Sequence, residues 1–327
     1  MTHKAHTMRF DFHKNRISET SAFEHMGLLC MRLAAKSTRR IQYSGLRHLN
    51  KVIKGVFPSN EFIQVRFNDD TSFEFPYGDG YWGRLLDNSK TYSPCEENFL
   101  FAIRDLDYAF IDCGANFGYM SLIVSSKAFG SKPSIAVEAD PDTFSVLERN
   151  WRLNGQRFEI RNNAVFSESG NIVDFGGNKH EARSIQETSE AQNASKIETV
   201  ALDDLKPWIK RQKRKHLILK LDVEGVEVAA LEGSTALLKD DPCVMYEDHG
   251  MDKTHEISRF LKDKLGMRLY FSEPKGCREL KTWEDIDAIK VNPRVGYDFI
   301  AARGDFWPKK IAELSFTPGH NGLTNTG

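Results

Sequence analysis

Beyond residue 105 the chain alternates short apolar runs with stretches whose apolar residues recur at helical spacing, the pattern of a parallel sheet with helices on both faces. Seven runs read as strands: Tyr108 to Cys113, Ser134 to Glu138, Phe158 to Asn163, Leu217 to Asp222, Cys243 to Glu247, Arg268 to Phe271 and Tyr297 to Ala302. Ahead of them, Phe62-Ile63-Gln64-Val65-Arg66-Phe67 and Ser72-Phe73-Glu74-Phe75 flank the turn-forming Asn68-Asp69-Asp70, which predicts a β-hairpin. Earlier still, the pattern weakens to a poorly ordered leader and one basic helix around Ala22 to Arg40. Gly176 to Ser195, polar and nearly free of apolar residues, predicts a mobile surface loop or lid. The expected organisation is therefore a basic extension over residues 1–60, a hairpin and helix over 61–104, the main α/β domain over 105–307 and a flexible tail over 308–327.

Composition changes this picture little. With 327 residues, 40% hydrophobic and 28% charged, the chain reads as a soluble globular protein, and no apolar run is long enough to span a bilayer. The five cysteines (Cys30, Cys95, Cys113, Cys243 and Cys277) are odd in number and contain no C-x-x-C pair, which argues against a disulfide framework or a zinc site and for a cytoplasmic setting. Cys113, inside an apolar strand, reads as a small buried hydrophobe. Charge is uneven: residues 1–60 hold eleven Lys/Arg against three Asp/Glu, in a chain of net charge −1. That end can contact an anionic membrane or substrate, or simply be a solvated extension. A second basic run, Lys206 to Lys215, reads as a solvated helix end, with an anion-facing patch as the alternative.

The chemistry concentrates at strand ends. Phe110-Ile111-Asp112-Cys113-Gly114-Ala115-Asn116-Phe117-Gly118-Tyr119 is an apolar strand that ends in an acid and turns through two glycines into a helix, a place where a ligand can approach the backbone. Its D-x-G-x-N-x-G spacing differs from the G-x-G-x-x-G of dinucleotide sites, which disfavours a nicotinamide cofactor. Asp112 can accept from a ligand ammonium or order the turn. Twenty-six residues on, the next strand ends in Glu138, a carboxylate placed to hold both hydroxyls of a ribose. Two later strands end in Asp222-Val223-Glu224-Gly225-Val226-Glu227 and in Glu247-Asp248-His249. That edge can deprotonate a hydroxyl, with Asp222, Glu224, Glu247 and His249 as candidates, or hold a divalent ion such as Mg²⁺ between Asp222 and Glu247 or Asp248.

Three stretches resemble the FkbM-type methyltransferases: Asp112 to Tyr119, Val200-Ala201-Leu202-Asp203-Asp204-Leu205, and Lys220 to Glu227. The likeness spans about Tyr92 to Glu247. It implies a Rossmann-like seven-stranded class I sheet, S-adenosylmethionine as cofactor, and methyl transfer, often to oxygen. It further implies that Gly114, Ala115, Asn116, Gly118 and Tyr119 line the cofactor turn, that Glu138 holds the ribose, that Asn163 and Ala164 flank the adenine, and that Glu96 and Asp222 lie towards the methionine end. The expected acceptor is a hydroxyl on a sugar, glycolipid or other secondary metabolite. Two other readings compete: a non-catalytic adenosyl- or nucleotide-binding module, which would not need the second acidic edge, and a nucleic-acid methyltransferase, which the acidic catalytic half and the lack of an N-P-P-Y motif disfavour. Acceptor identity, general base, metal dependence and oligomeric state are not legible in the sequence.

Overall fold

The computed structural model describes residues 7–89, 91–176, 184–185, 195–316 and 323. They divide into two compact units. The first holds the described residues up to Pro94 together with Arg152–Gly155 and Leu323; the second holds Cys95–Trp151 and the described residues from Gln156 to Phe316.

In the first unit, β1 (Met8–Asp11) and β2 (Arg16–Ser18) precede helix α1 (Ala22–Thr38) and helix α2 (Leu46–Val56), and β3 (Phe62–Arg66) and β4 (Ser72–Pro76) form the hairpin expected from their alternation. The four strands make one sheet in the order β2-β1-β3-β4, with β1 parallel to β3. The leader is therefore more ordered than its sequence implied. Met8, Phe10 and Phe12 alternate inward, but the partner that rewards this alternation lies some fifty residues away, beyond the reach of a local pattern. α1 begins in a capping box, Ser21 accepting from the Glu24 N–H while Glu24 accepts from the Ser21 N–H.

The second unit opens with α3 (Pro94–Ala102) and continues through β5 (Tyr108–Cys113), α4 (Tyr119–Val124), β6 (Ser134–Glu138), α5 (Pro141–Leu153) and β7 (Glu159–Asn162). There follow β8 (Ala164–Val165), β9 (Ile172–Gly176), β10 (Ser184–Ile185) and β11 (Ser195–Val200), which form a small separate sheet. The chain then runs through α6 (Lys206–Gln212), β12 (His216–Leu221), α7 (Glu227–Glu232), β13 (Pro242–His249), α8 (Glu256–Arg259), β14 (Arg268–Glu273), β15 (Gly276–Leu280), α9 (Trp283–Ile289), β16 (Gly296–Ala302) and α10 (Phe306–Glu313). The main sheet has the order β15-β14-β16-β13-β12-β5-β6-β7. β13, β12, β5, β6 and β7 are mutually parallel, and β16 runs against both of its neighbours.

The sheet is thus α/β and mixed, with eight strands where seven were expected. All seven expected strands are present. The eighth, β15, is an edge strand of sequence G-C-R-E-L in which only Leu280 is buried, so it lacks the apolar run by which the others were read. Every residue of β5 and β6 is buried, as in a sheet covered on both faces. One face packs a core built on Ile111, Cys113, Val137, Leu219, Leu221 and Tyr246. Cys113 is a buried thiol, as expected, and the five cysteines are unpaired.

Two expectations about the connecting segments change. The stretch expected as a loop from Gly176 to Ser195 lies outside the described residues except for its ends and Ser184–Ile185, and Ile172–Gly176 and Ser195–Val200 pair as strands. The tail expected from residue 308 begins as helix instead: Trp307, Pro308 and Ile311 of α10 are buried, and the remaining tail residues 317–322 and 324–327 lie outside the described residues. The basic run ahead of β12 is mostly the helix α6, with Trp208 buried, Arg211 near Glu159 at 3.8 Å and Arg214 paired to Asp107 at 3.0 Å, as a solvated helix end would be.

Candidate active site

The order of the main sheet reverses between β5 and β12, and it is at such a switch point that open α/β sheets leave a crevice beyond their strand ends. β5 leaves the sheet through a turn in which Gly114, Asn116 and Gly118 all have positive φ, at 72°, 52° and 85°. Gly114 has a second reason to be glycine: a Cβ there would stand 1.6 Å from the Asp222 carbonyl oxygen at the end of β12. The turn is pinned to β6 by the N–H groups of Gly114 and Ala115, which donate to the Val137 carbonyl at 3.0 and 3.1 Å.

Glu138 completes this half of the site. Its carboxylate accepts from the Asn116 N–H at 2.8 Å and from the Asp140 N–H at 2.9 Å, while the Asn162 amide donates to the carbonyls of Glu138 and Ala139. Burial pushes its carboxyl up to about 8, against the pull of those two N–H groups. Asp112 is buried deeper, and its Oδ2 accepts from both the N–H and the hydroxyl of Ser121 at 2.9 Å. Asp112 thus bonds the first turn of α4.

The second half of the site lies across β12 and β13. Lys220 and Asp222 sit two residues apart and so share a face, and the parallel register sets Lys220 beside Asp112. The Lys220 ammonium donates to Asp222 Oδ2 at 2.9 Å. Burial alone would lower the lysine, but Asp222, Glu96 and Asp112 outweigh it and hold the ammonium charged well above its ordinary range. Asp222 is likewise opposed by burial, yet Lys220 and a hydrogen bond from Glu247 hold it below the usual carboxylate range. Glu247 moves the other way, raised by burial and by the neighbouring Asp222, Asp298 and Glu224. Its carboxyl thus retains a proton and shares it with Asp222. Gly296, on β16 beside His249, makes room: a Cβ there would stand 1.2 Å from Glu247 Oε1.

Glu224 has a left-handed backbone, φ 53°, unusual for a residue with a Cβ. Burial first, then Asp222 and Glu227, push its carboxyl up to about 8. His249 Nε2 lies 3.7 Å from Glu224 Oε2. Glu227 turns back to accept from the Gly225 N–H at 3.1 Å. One oxygen each from Asp222, Glu224 and Glu247 lies within 4.8 Å of the others, an all-oxygen set of the kind that suits a hard cation or shared protons.

Strand alternation separates some of the expected residues from this cluster. Asp248 faces away from Glu247, its oxygens taken by Lys290 Nζ at 2.5 Å and Ser258 Oγ at 2.6 Å, so a metal site using Asp248 is not formed. Tyr119 is buried and its hydroxyl donates to Glu97 at 3.0 Å. Ala115 is buried within the turn, and Ala164 belongs to the core of the small sheet with Phe175 and Ile197. The Asn163 amide reaches the Glu198 carbonyl at 3.1 Å. Glu96 is buried on α3, close enough to act on Lys220. Lys220 is the residue that the sequence reading passed over. Its signal was plain: one charged side chain inside the apolar run Leu217-Ile218-Leu219-Lys220-Leu221 demands buried carboxylates. Asp203, in the second matching stretch, accepts from the N–H groups of Ala236 and Leu237, so its part there is to hold the turn beyond α7.

No curated protein sequence matches the chain significantly. Among solved structures, the chain is similar to a methyltransferase FkbM from Methylobacillus flagellatus (14% identity over 61% of this chain and 44% of that one, TM-score 0.35). It is similar also to a precorrin-6y C5,15-methyltransferase from Geobacter metallireducens (12%, 64% and 88%, TM-score 0.35). A third likeness is to an O-methyltransferase from Bacillus cereus (14%, 65% and 82%, TM-score 0.32). These likenesses are too distant to carry a function across, and the chain spans less than half of the Methylobacillus protein. The sequence match is more direct: residues 112–269, which hold the Gly114 turn, Glu138 and the acidic ends of β12 and β13, match the family model of the methyltransferase FkbM domain.

Proposed function

We propose that this domain binds S-adenosylmethionine and methylates a hydroxyl oxygen, on a sugar, glycolipid or other secondary metabolite, in the cytoplasm. The observation that carries the reading is the pairing of two unlike strand ends: a left-handed turn with a buried carboxylate at β5 and β6, and a proton-sharing carboxylate cluster at β12 and β13. The donor set fits the cofactor. Glu138 keeps a second lone pair on each oxygen for a ribose diol, and Glu96 and Asp222 offer negative charge to an ammonium or sulfonium. When bound, the cofactor supplies an electrophilic methyl carbon.

The chain's own residues then divide the remaining work. The Gly114 to Gly118 backbone and Glu138 orient the adenosyl group. Asp222, held charged by Lys220 and bonded by the Glu247 carboxyl, fixes the electrostatics between the two halves. Glu224, raised towards neutral pH, accepts the hydroxyl proton, with His249 beside it. A second reading, in which Asp222, Glu224 and Glu247 hold Mg²⁺, is tested by turnover in excess chelator: unchanged turnover dismisses it.

The test of the cofactor is calorimetric titration with S-adenosylhomocysteine beside NAD, repeated on Glu138→Ala. Micromolar binding of the adenosyl ligand that the variant loses supports the reading. Absence of binding, or preference for NAD, overturns it.

A further inference from the structure

The N-terminal unit carries a surface that includes none of the candidate site residues described above. An ordinary surface helix buries the whole of its apolar stripe, but α2 buries one edge of it, at Leu46, and leaves most of the rest in solvent. It turns Asn50 inward, where the amide donates to the Asp79 carbonyl at 2.8 Å, and it exposes Leu49, Val52 and Val56, spaced three and four residues apart and hence on one side. Val52 and Val56 are 66% and 60% exposed. α1 adds Phe23, Met26 and Leu33, again at helical spacing. Of the eleven large apolar side chains exposed among the described residues, seven fall between Phe23 and Val56. Single exposed apolar residues need no explanation, but a concentration on two neighbouring helices does.

Charge narrows the explanation. Between Ala22 and Phe57 the sequence has seven Lys/Arg and one acid; Arg32 is buried and Arg39 pairs with Asp87, but Lys36, Arg40 and Lys51 are exposed, and the acid, Glu24, is engaged in the α1 capping box. A face that is both aliphatic and basic repels a second copy of itself, and its aliphatic stripe has nothing to offer a phosphate–sugar backbone. It matches a bilayer surface, where acyl chains take the stripe and anionic headgroups take the ammonium and guanidinium groups. No helix among the described residues is long and apolar enough to cross a membrane, so the contact is peripheral.

We propose that α1 and α2 dock this chain on a membrane surface bearing anionic phospholipid, with Leu49, Val52 and Val56 entering the headgroup–acyl boundary and the exposed Lys51 meeting phosphate. The test is co-sedimentation of the full chain with phosphatidylcholine vesicles with and without phosphatidylglycerol, at low and high salt. Partition is expected to be at least about tenfold stronger on the anionic vesicles and to weaken with salt, and Lys51→Glu should reduce it about fivefold. Val52→Asp with Val56→Asp should abolish it without moving the thermal midpoint, since both side chains are already in water. Ile172→Asp, at an exposed apolar residue in the other unit, should leave it intact. Equal partition on neutral vesicles, or undiminished binding by the Val52/Val56 variant, overturns the proposal. So does sedimentation velocity showing an oligomer that this variant converts to monomer, which would assign the face to a second copy.

Discussion

The two halves of the candidate site use their carboxylates in opposite ways. At β5 and β6, Asp112 and Glu138 are answered by fixed backbone N–H groups and a serine, so each has a settled geometry. At β12 and β13, Asp222, Glu224 and Glu247 are answered chiefly by one another and by a single ammonium, Lys220. Backbone donors cannot move a proton and make a rigid binding wall. Carboxyls that crowd each other split their affinities for protons, which is what acid–base work needs.

The sharpest way to break this arrangement is where the halves touch. Gly114→Ala drives a methyl into the Asp222 carbonyl at a left-handed position, and it should cost about 4 kcal/mol or more and remove adenosyl-ligand binding, read by chemical denaturation and calorimetry. Lys220→Met strips the ammonium from three carboxylates, two of them buried, and should cost about 3–4 kcal/mol at pH 7. A smaller loss would mean that those carboxyls take up protons readily. Glu224→Gln should lower turnover about 100-fold and erase the rise in rate that the native protein shows as pH climbs through about 8; a variant retaining that limb removes Glu224 as the proton acceptor.

The smallest effect is a gain. Glu247 binds its proton more tightly folded than unfolded, so its contribution to stability is full below the ordinary carboxylate range and is lost as pH rises above it. Glu247→Gln keeps the hydrogen bond without the charge. It should therefore raise stability by about 1–2 kcal/mol at pH 8 and change it little at pH 4, measured by thermal melts at both.

Much of this was legible in the chain. The strands of the main sheet are buried on both faces and so announce themselves as apolar runs, whereas β15 at the edge and β1 at the N-terminus do not, because their stability comes from a partner strand. The turn was readable because positive φ restricts residue choice, which Gly114, Asn116 and Gly118 obey. The separation of Asp248 from Glu247 follows from the two-residue period once β13 is known to continue to His249, but the expected strand stopped at Glu247. Lys220 was visible as an anomaly, and its partners were not.

By itself, then, the sequence determined the class of the sheet, the turn after β5 and the presence of carboxylates at four strand ends, because hydrophobic period and backbone constraint act locally. Tertiary structure alone decided which of those carboxylates share a proton, that Lys220 neutralises them, and that α2 leaves Leu49, Val52 and Val56 outward. Those outcomes depend on burial and on distances between residues up to more than a hundred positions apart, and such distances exist only once the strands are aligned.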